Sequence, residues 1–575
     1  MERLFDTLHA HLINVLENLK QAEVLPQEAD LSNVALEQPK DETHGDLATN
    51  AALVLAKQAK TNPRALAEQI LPKLLEHKAI KSGDVAGPGF INLRITGDAW
   101  LSEAQLVLAD SEAYTKTDVG HGQKVMVEFV SINPTGPIHI GHGRNAVLGD
   151  TLCRLLEKTG YNVYREYLVN DAGNQILTLV LSVHARYLEL FGEKLELPED
   201  GYVGEYIIEI AQALKDKDGN KWLTVICPDE LLSELREFCV NACMDLTKGD
   251  LDELGIWFDR YHSEWEMHQQ GDPLAKAVKA LREKEYVYEG KLEAPKGKDI
   301  KDYQPVDLTL FKATEYGAEQ DKPIYNRRGN ATYFGQDIAY HQHKLDRGFE
   351  RLITVIGADQ QGNFTPLKWA LEALTGYKDV LHPFYYAHVK TLRDGQPVKL
   401  SKRAGNIIAL SDVVREVGGD VYRFHMLTRK GDTPLTFDLA KAVEKSMDNP
   451  VFYVQYAYAR MAAVFRQQEE MGIPSVDASQ ADTSVLNSQQ AINVLRHIIL
   501  YPQMLEKASV AVEPHRIAFY AMDFAAAFHS WYNAEKFLDA ENLPATYARL
   551  LVVQAAQLVL KDVLAVMHVT APEKM

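Results

Sequence analysis

Cysteine is scarce in this chain: four among 575 residues, at Cys153, Cys227, Cys239 and Cys243. None stands in a CxxC spacing. Cys239 and Cys243 fit one helix face but lack a second pair, so neither a disulfide framework nor a zinc site is expected. Long apolar runs are also missing. No stretch reaches the roughly 18 residues of a membrane span, and Met1-Glu2-Arg3-Leu4-Phe5-Asp6 lacks the basic-then-apolar order of a secretion signal. Together these absences predict a cytoplasmic protein with free thiols and no membrane partner. Basic excess is the third absence. With 61 Lys+Arg against 80 Asp+Glu the formal net charge is −19, which gives no global footprint for indiscriminate nucleic-acid binding. A local basic stripe is compatible with that balance.

What is present begins with Asn133-Pro134-Thr135-Gly136-Pro137-Ile138-His139-Ile140-Gly141-His142-Gly143-Arg144. The run before it, Val125 to Val130, reads as a buried strand. The leucines after it, Leu148, Leu152, Leu155 and Leu156, read as a helix ending at Gly160. A strand, a glycine-containing turn and a helix N-terminus make an anion site, because free backbone N–H groups and the positive end of the helix dipole face the ligand. Imidazoles there donate to phosphate oxygens while uncharged. Some 260 residues later, after a turn-like Arg393-Asp394-Gly395-Gln396-Pro397, comes Lys399-Leu400-Ser401-Lys402-Arg403-Ala404-Gly405-Asn406. Two lysines three apart on a small-residue loop are mobile point charges suited to a pentavalent phosphorus and a departing pyrophosphate.

The length predicts three or four domains. Residues 1 to about 115 read as a small α/β unit with a strand at Phe90–Ile95. Residues 120–447 alternate strands and helices as a doubly wound, Rossmann-like sheet does, with a charged insertion at about 185–325. Residues 448–575 read as an all-α bundle whose core includes Leu550 to Val553 and Leu558 to Leu560. Neither an internal repeat nor a low-complexity segment is found.

In this order and spacing the two motifs resemble the paired nucleotide signatures of class I aminoacyl-tRNA synthetases. Three further residues bear on the amino acid: Glu128 at the end of the first strand, and Tyr333 and Asp337 in Ala331 to Tyr340, where a strand is expected to pass into a helix. Two carboxylates and a phenol in one pocket suit a planar cation with many donors, a guanidinium. Glu128 to Arg144, Tyr167 to Ile176, Tyr333 to Tyr340, the N-terminal His44 to Asn50 and Gly87 to Asn92, and the tail ending Ala571 to Met575 resemble bacterial arginyl-tRNA synthetases, over nearly the whole chain.

That resemblance implies ATP-dependent ligation of L-arginine to tRNA(Arg) through an arginyl-adenylate, with Mg2+ and no resident metal ligands. By position, it assigns Glu128, Tyr333 and Asp337 to the guanidinium. Asn133 and His139 go to the ammonium and carboxylate end, with Gln360 (or Gln361). His139, Gly141 and His142 fall to ATP, and Lys399, Ser401 and Lys402 to the phosphate loop. Leu400 and Arg403 stand where the class pattern has Met and Ser. The resemblance also implies an N-terminal contact with the tRNA elbow, anticodon contacts at Tyr453, Tyr456, Arg460 and Met575, adenylate formation only with tRNA bound, and a monomer. Tyr453, Tyr456 and Arg460 fall at i, i+3, i+7, a spacing that by itself also fits bundle core. The rivals are a glutamyl- or glutaminyl-type enzyme, whose side chain two carboxylates would repel or leave unmatched, and a tRNA-binding paralogue without activity, against which the intact histidines and lysines argue.

Overall fold

The computed structural model describes residues 2–39, 44–193, 197–225, 227–269, 272–292, 306–398 and 409–575. The chain forms two compact units, one of Asp118–Lys445 with Ser509–His515, the other of Met1–Thr117 with Ser446–Ala508 and Arg516–Met575.

The first unit is organised by a parallel five-stranded sheet. Its spatial order is Leu381–Tyr386, Arg351–Gly357, Lys124–Glu128, Asn162–Val169, Arg260–Ser263. The first strand in sequence is therefore central. The chain adds two strands on one side, then returns to add two on the other, which is the doubly wound order. Val125, Met126 and Val127 are all buried, as a strand covered on both faces requires. The winding reverses between Lys124–Glu128 and Arg351–Gly357, where Glu128 pairs in register with Thr354. Such a reversal opens a crevice at the carboxyl ends of the strands.

The expected insertion at about 185–325 turns out to be divided. Helices Glu205–Asp218 and Pro228–Asp252 come first, then Arg260–Ser263, which belongs to the parallel sheet, then an antiparallel sheet of Val287–Lys291, Asp307–Phe311 and Lys322–Pro323. The polar sequence Arg-Tyr-His-Ser at an edge position carries no apolar run, which is why the third strand escaped periodicity. The stretch Ala294 to Lys298 lies outside the described residues.

In the second unit a four-stranded sheet, Leu36–Glu37, Leu47–Thr49, Phe90–Ile95 and Ile80–Ala86, packs with helices. The helical tail is carried by Pro450–Glu470, Gln489–Val510, His515–Ala534 and Leu543–Val566. The N-terminal residues and the tail, read from sequence as separate domains, thus share one unit. A fully buried Arg496 on the tail lies 3.7 Å from Asp46 and donates to the Gly45 carbonyl at 3.4 Å. The Tyr114 hydroxyl donates to Glu103 at 2.5 Å and reaches the Ile498 carbonyl at 3.4 Å. Leu550 to Val553 and Leu560 are buried, as expected for core. No described helix is long and apolar enough to cross a membrane.

Candidate active site

The chain leaves the central strand sharply. Val130 and Ser131 both have positive φ, 66° and 43°, a conformation a β-branched residue avoids unless its surroundings impose it. The imposing group is Asn145: its side-chain oxygen accepts the Val130 N–H at 2.7 Å, and its amide donates to the Val355 carbonyl at 2.9 Å. One side chain so ties the ends of the two strands that flank the crevice. His139 then caps helix Ile140–Lys158, its Nδ1 accepting the Gly141 N–H at 3.1 Å. That bond leaves the Nε2 position to carry the ring proton of a neutral imidazole. The His142 ring stacks on His139 with centroids 3.7 Å apart. A Cβ on Gly141 would meet the His139 ring at 3.0 Å, and one on Gly143 the Tyr422 hydroxyl at 2.2 Å, so both glycines are needed for close approach.

Lys399, Ser401 and Lys402 lie outside the described residues. The segments on either side are described. The expected turn at Asp394-Gly395 has both residues at positive φ, between strands Val389–Arg393 and Gln396–Pro397. On the far side Ala409 forms an antiparallel bridge with His139, and the Leu410 N–H donates to the Ile138 carbonyl at 2.8 Å. The buried Asp250 carboxylate clips the same two segments, accepting Ile138 N–H at 2.8 Å and Ser411 N–H at 3.3 Å.

The crevice is a cavity of about 970 Å³, at the upper end of ordinary ligand pockets. Glu128, Asn133, His139, Gly141, His142, Tyr333, Asp337 and Gln360 all line it. Gln361 instead begins helix Gln361–Thr375 and does not line the cavity. Tyr333 is 87% exposed. The strand expected before it is only an isolated bridge, Tyr325 with Ala331, and helix Tyr333–Asp346 is capped by the Thr332 hydroxyl, which accepts the Gly335 N–H at 3.1 Å. Asn133 donates to Gln175 at 2.6 Å. Gln360 donates to Asp359 at 2.9 Å and accepts from Asn363 at 3.0 Å.

The two expected guanidinium carboxylates differ. Glu128 is buried in an ion pair with Lys344 at 2.5 Å, and that ammonium lies 4.1 Å from the Tyr340 ring centre. The sequence reading gave Glu128 to the guanidinium; in the structure its charge is matched from within the fold. Asp337 makes no ion pair and accepts no side-chain hydrogen bond among the described residues. Burial pushes its carboxyl up to about 7, and Glu128 and Glu264 push the same way against Lys344. Glu264, just past the edge strand, is thus a third carboxylate whose charge is felt at Asp337. Sequence reasoning missed Glu264 and Lys344, which are ordinary charged residues until the fold gathers them.

In the helical tail Tyr453 and Tyr456 are half-buried and not core. The Arg460 guanidinium lies 4.5 Å over Tyr456 and 4.9 Å over Tyr532, and bonds His529 at 3.2 Å. His529 also sits against the Tyr453 ring, 4.7 Å between centroids. Met575 is 54% exposed.

Residues 6–95 match the family model described as the arginyl tRNA synthetase N terminal domain, 103–423 the class I (R) tRNA synthetase catalytic domain, and 454–575 the DALR anticodon binding domain. An arginine–tRNA ligase of Ruegeria pomeroyi is 42% identical over all of both chains, and one of Parvibaculum lavamentivorans is 44% identical over 97% of each. The chain belongs to the arginyl-tRNA synthetases. The Thermus thermophilus arginyl-tRNA synthetase is similar in fold along the whole of both chains, with a TM-score of 0.76 at 20% identity. An arginyl-tRNA synthetase is a class I ligase of translation that uses ATP as substrate. The crevice described above lies within the stretch matched to the catalytic domain.

Proposed function

We propose that the cavity at the carboxyl edge of the parallel sheet is where the carboxylate of L-arginine attacks the α-phosphorus of ATP. The chain ligates arginine to tRNA by that route: arginyl-adenylate forms, pyrophosphate leaves, and the arginyl group then passes to the tRNA, releasing AMP. Asp337 carries this reading. A half-buried carboxyl that makes no ion pair among the described residues and feels Glu128 and Glu264 nearby is a site that a guanidinium completes and a glutamate or glutamine side chain does not. In this reading Asp337 and Tyr333 hold the guanidinium, and Glu128 acts from behind through Lys344. Asn133, His139 and Gln360 orient the ammonium and carboxylate. His139, Gly141 and His142 cradle the phosphates at the helix N-terminus. Lys399, Ser401 and Lys402 supply the positive charge that meets the α-phosphorus as it becomes pentavalent. Magnesium enters with the ATP phosphates as part of the substrate. No protein residue is assigned to it.

We assign residues 1–115 to the tRNA elbow, 120–447 to the chemistry, and 448–575 to the anticodon through Tyr453, Tyr456, Arg460 and Met575, in a monomer working in the cytoplasm. Stacking rings beside a guanidinium suit unpaired bases. The deciding experiment is pyrophosphate exchange with each amino acid in turn, with and without tRNA(Arg). Arginine alone should support exchange, and only with tRNA present. Preferential use of glutamine or lysine would overturn the assignment.

A further inference from the structure

Helix Tyr333–Asp346 offers the cavity two side chains beyond Tyr333 and Asp337, Tyr340 and His341, and the Tyr340 hydroxyl already donates to Glu166 at 2.9 Å. Spacings of four place residues 333, 337 and 341 along one line of a helix, a turn apart, and His341 lines the cavity with the other two. It is 2% exposed. Besides an edge-on contact with its neighbour Tyr340, at 5.6 Å between centroids, two contacts fix its ring. Nδ1 lies 2.8 Å from the backbone carbonyl of Asp337, and the ring meets Phe364 edge-on, at 81° and 6.3 Å between centroids.

The tautomer follows from the first contact. A carbonyl only accepts, so Nδ1 carries the proton and Nε2 presents a bare lone pair. Burial and the Lys344 ammonium hold the ring well below the ordinary histidine range, so it stays neutral near pH 7. Among the described residues Nε2 is buried with no hydrogen-bond partner. A buried acceptor left unmatched costs about as much as a lost hydrogen bond, and a site retains one when a ligand completes it.

Of the two substrates, the guanidinium is the donor-rich group: five N–H bonds and no acceptor. Asp337 can take two in a bidentate pair. We propose that His341 is a specificity-determining residue of the arginine pocket, its Nε2 accepting a further guanidinium N–H one helical turn beyond Asp337. The inference rests on the assignment of this pocket to arginine. It gives the pocket a means of rejecting side chains that offer a carbonyl oxygen at that point, because two acceptors would then face each other unpaired.

The test separates the two ring nitrogens. In His341→Asn the amide nitrogen replaces Nδ1 and keeps the bond to the Asp337 carbonyl, but nothing reaches the Nε2 position. In His341→Gln the side-chain oxygen reaches that position and can accept. Full-length enzymes are assayed for tRNA charging over arginine and ATP titrations, with thermal midpoints measured in parallel. His341→Asn should raise the arginine KM about tenfold to a hundredfold, with kcat and the ATP KM within about threefold. His341→Gln should stay within about threefold of the parent in all three. An unchanged arginine KM in His341→Asn overturns the proposal. So does a rise in the ATP KM in its place, or a folded His341→Gln as impaired for arginine as the Asn variant. If His341→Asn does not fold, His341→Gln decides alone. Asp337→Asn is the control for the pocket: if it leaves the arginine KM intact, the pocket assignment fails, whereas a normal Asp337 effect beside a silent His341→Asn removes only His341.

Discussion

The pocket proposed for arginine and the aromatic face of the helical tail are built in opposite ways. In the pocket charges are gathered and one is left unmatched. Glu128 is balanced by Lys344, while Asp337 has no ion partner among the described residues and holds its proton up to about 7. On the tail, Arg460 is already stacked on Tyr456 and Tyr532 and bonded to His529. The pocket stores electrostatic demand that the right cation relieves. The tail presents a pre-assembled surface, so a base landing there adds contacts to groups already satisfied. Loss of a pocket charge should therefore be severe and selective for arginine, and loss of a tail group should be moderate and selective for tRNA.

The largest effect should come from Lys344→Met. Removing one member of a buried pair leaves Glu128 uncompensated, which costs about 3–5 kcal/mol and would appear as a lower denaturant midpoint at unchanged slope. Adding Glu128→Gln should recover much of that stability; no recovery would mean the pair is not what Lys344 serves. Next is Asp337→Asn, which turns a charge-assisted contact into a neutral one. We expect arginine kcat/KM to fall by about 2–4 kcal/mol, mostly in KM, with the ATP KM little changed. Equal damage to both substrates would erase the contrast with the tail.

The third prediction concerns pH. A carboxyl raised to about 7 in the empty pocket must lose its proton before it pairs with a guanidinium. Arginine affinity should then be flat above pH 7 and fall below it, approaching about tenfold per pH unit. The sign for the empty enzyme is the reverse. A raised folded-state value adds stability at low pH, and that stability is lost as pH rises through 7. Calorimetric titration in buffers of different ionisation heat should show proton release on arginine binding at pH 6 and none in Asp337→Asn. The smallest effect belongs to the tail. Arg460→Ala should raise the KM for tRNA(Arg) roughly fivefold to thirtyfold, from lost stacking and cation–π contact, with the arginine KM unmoved.

The same contrast governs what could be read without coordinates. The central strand and its following helix were legible because Val125 to Val127 form an apolar run and the glycines at 141 and 143 mark a close approach. Asp337 entered the reading only through the family resemblance, because a single acid near a tyrosine reads equally as surface. The Arg260–Ser263 strand was not legible, since four polar residues at a sheet edge have no period to betray them. Nor was the pairing of Glu128 with Lys344, 216 residues apart, because only the folded helix brings that ammonium to the strand end. The tail's tyrosines by spacing alone fitted core better than an RNA face, and only the family resemblance reversed that preference. His529, which belongs to another helix, lies against both rings.

Asp250 has a consequence for how the enzyme is made. Its carboxylate joins Ile138, 112 residues before it, to Ser411, 161 residues after it. Contacts that close such long loops form late, because the entropy of closure is lost before the bonds can repay it. On the ribosome the histidine motif emerges first, yet its full set of backbone partners exists only after residue 411 has left the exit tunnel. A nascent chain halted between residues 250 and 411 can hold the motif to Asp250 but lacks the second half of the clip, so the Ser411 side of the crevice is added last.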